Sequence, residues 1–224
     1  MKILCTQALE HVFPAILPHI PGDRVVYNTT GGLIAELESR GGDVLLASRP
    51  SLDELVRLGK VEAAGLADIA STPVGIAAKK GVGNIDLSSP EALKKLLLAA
   101  GPVAYPEPSG GGVSGVHFAH VLDVLGIGEE VNRHAILVKA GGVAADYVRT
   151  GQAALAVQMI SELRPVEGVE IIGPLPGGLA KIIAFSGAVV TGTSHAGEAL
   201  GVIQALKTPA AQAIMRTAGL DPAP

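Results

Sequence analysis

The sequence predicts an α/β protein built as two lobes, each a sheet covered by helices, and three observations carry that prediction. Short apolar runs and longer amphipathic runs alternate twice along the 224 residues, once before Thr72-Pro73 and once after it. A run of strand character, VGIAAKKG, leads out of the first series, and another, KIIAFSGAVV, leads back. The composition suits buried strands and many turns, with 48% hydrophobic residues, 17% charged residues, 29 Gly and 15 Pro. The first lobe is placed at residues 1–76 and 186–224 and the second at 77–185, with a ligand cleft expected between the lobes.

In the first lobe the strands are KILC, RVVYN and DVLLA, and helical patterns cover residues 9–20, 33–40 and 52–58. Pro14 and Pro18 fall inside the first of these patterns and should kink or split it. Such alternation with short connections implies a parallel sheet whose ligands lie at the carboxyl ends of its strands. Those ends are Thr6-Gln7, Asn28-Thr29-Thr30 and Ser48-Arg49. The second lobe opens with a helix capped near Ser89, with Pro90 in its first turn. Its strands are PVAY, AILV, ALAVQM and VEIIG, with helices starting near Val113 and Val143. Ala/Leu-rich stretches at 196–206 and 209–218 read as closing helices.

The segment PVAYPEPSGGGVSGVHFAHVL runs from a strand through a Gly-rich loop into an amphipathic helix. Pro106 and Pro108 stop the strand, Ser109 to Gly112 let the backbone approach a ligand closely, and Ser114 can cap a helix whose first N–H groups favour an anion. His117 is expected in that helix's first turn, where the positive end of the macrodipole disfavours imidazolium and leaves a neutral ring ready to exchange a proton. An ordinary strand-to-helix turn has the same spacing, so ligand contact stays an expectation. Glu107 and Glu162 are secondary base candidates, or a solvated loop charge and a helix start respectively, and the other five histidines read as surface or packing residues.

Other residues carry two readings each. Arg49 before Pro50 fits a bidentate carboxylate clamp, or a surface charge paired with Asp53. Thr29 and Thr30 before Gly31-Gly32 offer hydroxyls and backbone N–H groups to a ligand, or simply cap a helix. Tyr105 at its strand end donates to a ligand oxygen or packs; Gln158, near another strand end, orients a ligand carboxylate. Gln7, Ser48, Ser109, Gly112 and Ser114 complete the expected binding set.

Several chemistries are excluded. Aromatics make up 3% with no Trp, which disfavours sites built on stacking and leaves small anions and carboxylates ahead. Net charge is -4 with the basic residues dispersed, which argues against nucleic acid. Cys5 excludes an internal disulfide, and no run reaches the length of a membrane span. Zinc spacing, HExxH, GxxxxGK[ST] and GxSxG are all missing, so neither a metal nor a cofactor is expected. The opening MKILCTQALEHVF reads as a strand without a leader's apolar region, so a cytoplasmic location is expected, or a periplasmic one if a leader was removed.

Five segments carry a resemblance: NTTGGLIAEL, DVLLASRPSLDELVRLGKV, SGGGVSGVHFAHVLDVLGI, RTGQAALAVQMISEL and KTPAAQAIMRTAGLDP. Together, over nearly the whole chain, they look like the molybdate-binding-protein-like group of type II periplasmic binding proteins. SGGGVSGVHFA and QMISEL look more like a branch that includes aconitate isomerase than like true molybdate binders. The resemblance implies the type II fold, two Rossmann-like lobes joined by crossover strands and closing by a hinge over a small anion. True molybdate binders carry a serine where this chain has Gln7-Ala8, a serine pair where it has Thr29-Thr30, and a tyrosine where it has Gln158-Met159. They usually carry an acidic residue where Arg49 stands, and an arginine fork suits a planar carboxylate better than a tetrahedral oxyanion.

The expected function is therefore binding of a small di- or tricarboxylate, with isomerisation of the unsaturated acid by an allylic 1,3-proton shift through His117. The alternative is a binding protein that delivers molybdate or another small anion to an ABC transporter without chemistry.

Overall fold

The computed structural model describes residues 1–110 and 112–224. The chain divides into two compact units, Met1–Thr72 with Ile183–Pro224, and Pro73–Ile182. Both passages fall a few residues earlier than the sequence-based boundaries.

The first unit begins β1 (Ile3–Thr6), α1 (Phe13–Ile16), β2 (Val25–Asn28), α2 (Thr30–Arg40), β3 (Val44–Ser48) and α3 (Arg49–Arg57). The long β4 (Ala67–Lys79) carries the chain into the second unit. There follow α4 (Pro90–Ala99), β5 (Val103–Pro106), α5 (Val113–Leu125), α6 (Gly128–Asn132) and β6 (Ile136–Val138). The second unit continues with α7 (Ala144–Arg149), β7 (Leu155–Met159), α8 (Ile160–Leu163) and β8 (Val169–Pro174). The return strand β9 (Ile182–Val189) leads to α9 (Ala196–Leu206), α10 (Pro209–Thr217) and β10 (Asp221–Pro222).

In the first unit the strand order is β2-β1-β3-β9-β4, with β10 on β4. β1 pairs in parallel with β2 and β3, whereas β9 runs antiparallel to β3, setting Ser186 opposite Ala47. The sheet is therefore mixed and not wholly parallel as expected, because the return strand enters it from the opposite direction. Alternation along β1 and β3 divides the core into two layers. Ile3, Cys5, Val44 and Leu46 meet Leu9, Phe13, Ile203 and Met215 on one face. Leu4, Leu45 and Ala47 meet Leu33, Leu37, Leu52 and Leu55 on the other.

The second unit orders its strands β6-β5-β7-β4, with β8 on β4. β5 pairs in parallel with β6 and β7, and both β7 and β8 run antiparallel to β4. Small side chains, Ala77, Ala104 and Ala156 from the strands with Ala144 and Ala145 from α7, form one face of its core and let α7 lie close to the sheet.

Local chemistry sets the element ends. The helix expected over residues 9–20 is split into a 3-10 turn at Gln7–Leu9 and the single turn of α1, with Pro14 at the start of α1 and Pro18 just beyond its end. α3 starts at Arg49 itself, three residues earlier than expected, with Pro50 in its first turn. Ser89 Oγ accepts the Ala92 N–H at 3.1 Å and so caps α4 as read from the sequence. Ser89→Ala is expected to cost about 1 kcal/mol, read as a lower urea midpoint at an unchanged slope. α5 departs from expectation: Gly112 is its cap, and Ser114 is its second residue, 2% exposed.

Candidate functional site

The carboxyl ends of β1, β2 and β3 in the first unit bring five of the expected residues to one edge of the sheet. Thr6 is in register with Asn28, so Gln7 leaves β1 level with the start of the Thr29-Thr30 turn. Asn28 Oδ1 accepts the Thr29 N–H at 2.8 Å, and Thr29 Oγ1 accepts the Gly32 N–H at 3.2 Å, capping α2. Thr30 Oγ1 accepts the Ser48 N–H at 3.2 Å and so ties the start of α2 to the end of β3. Ser48 Oγ and Ser51 Oγ lie 2.9 Å apart and share a hydrogen bond. Two helices thus direct their N-terminal amides beyond the strand ends, an arrangement suited to an anion.

Arg49 is held in a small ionic cluster. Its Nε donates to Asp53 Oδ1 at 2.8 Å, the pairing expected for a surface charge, and its Nη1 donates to Asp68 Oδ1 at 2.6 Å. Ser186 Oγ, in β9, donates to the same Asp68 oxygen at 2.6 Å. The Ser186 hydroxyl and the Arg49 guanidinium together hold the Asp68 carboxyl below its ordinary range, and the two carboxylates push the Arg49 guanidinium above its own. Asp68 and Ser186 lie 118 residues apart, and no local pattern joins them. The available signal was a hydroxyl in the middle of the apolar run KIIAFSGAVV, where a fully buried Ser186 needs a partner.

The second unit carries the remaining residues. Ser109 lies in a 3-10 turn at Pro108–Gly110 between β5 and α5. The helix backs closely onto β5, since a Cβ at Gly115 would meet Pro106 O at 2.0 Å. His117 is the fifth residue of α5, two residues further in than a cap at Ser114 would put it, and is half-buried. Its Nε2 lies 2.9 Å from Leu179 O. A carbonyl only accepts, so Nε2 carries the hydrogen and Nδ1 holds the lone pair of the neutral ring.

Two residues expected to touch ligand are committed to the framework. Tyr105, 2% exposed, donates its hydroxyl to Asn132 Oδ1 at 2.6 Å and packs edge-on against Phe118, and burial pushes its phenol above the ordinary range. Gln158, 3% exposed, accepts the Ala144 N–H at 2.7 Å and donates to Gly142 O at 3.4 Å, fixing the loop that enters α7. Both side chains spend their polar atoms where the strand end meets the next loop, which is what made them resemble ligand donors in sequence. Ser161 and Glu162 follow β7 directly in α8 and are buried, 2% and 5% exposed.

Among the described residues no group of three His, Cys, Asp or Glu side chains is arranged to hold a metal ion. Also among these, no helix is long and apolar enough to cross a membrane.

Doubly wound sheets with paired helix N-termini at their strand ends, linked through β4 and β9, define a solute-binding-protein fold. Residues 21–221 match the family described as bacterial extracellular solute-binding protein, and the chain belongs to that family. A curated relative, aconitate isomerase from a Pseudomonas species, is 31% identical over 183 residues, covering 81% of this chain and 68% of that protein. The periplasmic molybdate-binding protein of Azotobacter vinelandii superposes with a TM-score of 0.76 at 18% identity, covering 98% of each chain. The sulfate-binding protein SubI of Mycobacterium tuberculosis gives 0.69 at 18% identity, over 99% of this chain and 86% of that one. These two structures establish the fold alone, and the fold agrees with the type II class expected from sequence.

Proposed function

We propose that this protein binds a small unsaturated tricarboxylate such as aconitate and isomerises it by an allylic 1,3-proton shift. The observation that carries this reading is the 31% identity to aconitate isomerase across 81% of the chain. The local chemistry supports it. Arg49 starts α3 at the end of β3, and the Thr29-Thr30 turn starts α2 at the end of β2, so a guanidinium and helix-start amides, donors matched to carboxylates, come from strand ends of the same sheet. Gln7, Ser48, Ser109, Gly112 and Ser114 belong to the proposed binding loops, Ser114 through its position in the first turn of α5.

In the reaction a base removes a proton from the methylene beside one carboxylate, and the electron pair spreads into the adjacent C=C–carboxylate system. The same proton then returns to the former vinylic carbon, and the double bond moves to the other side of the central carbon. Aconitate regains its skeleton, and the geometry of the new double bond follows from the conformation held about the former single bond when the methylene proton leaves. No atom is lost, and neither an oxidant nor a cofactor is needed. His117 is the proposed proton carrier, with Nδ1 as the basic atom because Nε2 is engaged with Leu179 O.

A second reading is favoured by the family itself and by the fold shared with molybdate- and sulfate-binding proteins: a small-anion binder serving an ABC transporter, without catalysis. Thermal shift against cis- and trans-aconitate, citrate, sulfate and molybdate separates the two, since a ligand selective for the folded state raises the melting temperature. Stabilisation by the aconitates, followed by their interconversion in a proton NMR assay, is the expected result. Stabilisation by molybdate or sulfate alone would replace the enzyme reading with the transport one.

A further inference from the structure

Resting on the carboxylate-binding reading above, we propose that Asp68 and Ser186 are positioning residues that fix the Arg49 guanidinium so that its outer edge meets a planar carboxylate. They thereby favour carboxylates over tetrahedral oxyanions.

A guanidinium is planar and rigid, so holding it at two nitrogens fixes both its plane and the direction of the third. Asp53 holds Nε from one turn along α3, and Asp68 holds Nη1 from β4. Neither carboxylate takes Nη2, and Nη2 with the remaining hydrogen of Nη1 is a pair that can make two parallel bonds to a carboxylate. Asp53 alone would not suffice, because an exposed pair one helical turn apart restrains its arginine weakly. Asp68 is the firmer anchor because its own oxygen is pinned by Ser186, which is 0% exposed and held opposite Ala47 in the sheet. Ser186 thus connects the interior of the sheet to a side chain at its edge.

The charge balance sharpens the selectivity. Two carboxylates flank one guanidinium, so the cluster carries a net negative charge and attracts anions poorly through charge alone. A ligand gains from Arg49 mainly through directional bonds, which a planar carboxylate matches and a tetrahedral dianion matches less well. The lowered carboxyl of Asp68 keeps this arrangement ionised further into acid than an ordinary aspartate would.

The test is isothermal titration of the full chain with trans-aconitate and, separately, with sulfate, for wild type, Asp68→Asn and Ser186→Ala, alongside melting temperatures. For Asp68→Asn the expected result is about tenfold weaker trans-aconitate binding, with sulfate binding unchanged or tighter because a negative charge is gone. Ser186→Ala, nearly isosteric, should shift selectivity in the same direction by a smaller factor, and it carries the test if Asp68→Asn does not fold. The ratio of the two affinities is the readout that a merely structural role would leave alone. Equal weakening of both ligands, or trans-aconitate binding that is unchanged or tighter in the variants, overturns the positioning role while wild-type binding still upholds the proposed function. A wild-type protein that binds sulfate but no carboxylate overturns both.

Discussion

Replacing His117 with glutamine is expected to lower aconitate isomerisation by about 10²- to 10⁴-fold while trans-aconitate still binds. The choice of glutamine follows from the geometry. Its amide nitrogen reaches nearly where Nε2 stands, so the hydrogen bond to Leu179 O survives and α5 keeps its partner in the turn between β8 and β9. What disappears is the lone pair of Nδ1, the atom that would carry the proton from one allylic carbon to the other. Turnover by NMR and affinity by calorimetry, measured on the same preparation, separate lost chemistry from lost binding. Undiminished turnover in His117→Gln would move proton transfer to another group, with Glu107 and the buried Glu162 next in line.

The alternating pattern of the fold was readable because each buried strand repeats an apolar run that period-2 packing demands. KILC and DVLLA appear as β1 and β3, buried along their whole length. The antiparallel entry of β9 was not readable, since KIIAFSGAVV has the same apolar character whichever way it runs. Caps were partly legible. Ser89 precedes Pro90 and caps α4, but Ser114, the better cap residue by type, lies inside α5 while Gly112 occupies the cap position.

The site divides along the same line. Thr29, Thr30, Ser48 and Arg49 fall at strand ends, and topology alone takes them to one edge of the sheet. Tyr105 and Gln158 also fall at strand ends, but their partners, Asn132 and the Ala144 amide, come from distant positions that no local pattern reveals. Asp68 and Ser186 were hidden for the same reason. Their contact joins positions 118 residues apart and exists only once β4 and β9 share a sheet.

Gly115→Ala tests the packing that aims α5. A Cβ there would lie 2.0 Å from Pro106 O and 2.8 Å from Pro106 C, both backbone atoms of the strand beneath. Neither can rotate aside as a side chain would, so the helix must lift away from β5 and take Ser114, His117 and the fully buried Phe118 with it. Overpacking of this kind is expected to cost about 3 kcal/mol or more, and the displaced His117 should lower turnover as well. Gly201→Ala provides the internal control. It lies within α9 with nothing within 4 Å of an added Cβ, so the same chemical change should stabilise the protein by about 0.5–1 kcal/mol through helix propensity. Urea midpoints for the two variants should therefore move in opposite directions. A wild-type midpoint and full turnover for Gly115→Ala would mean that α5 stands off β5 far enough to admit a methyl group, and that the close approach at Pro106 does not position His117.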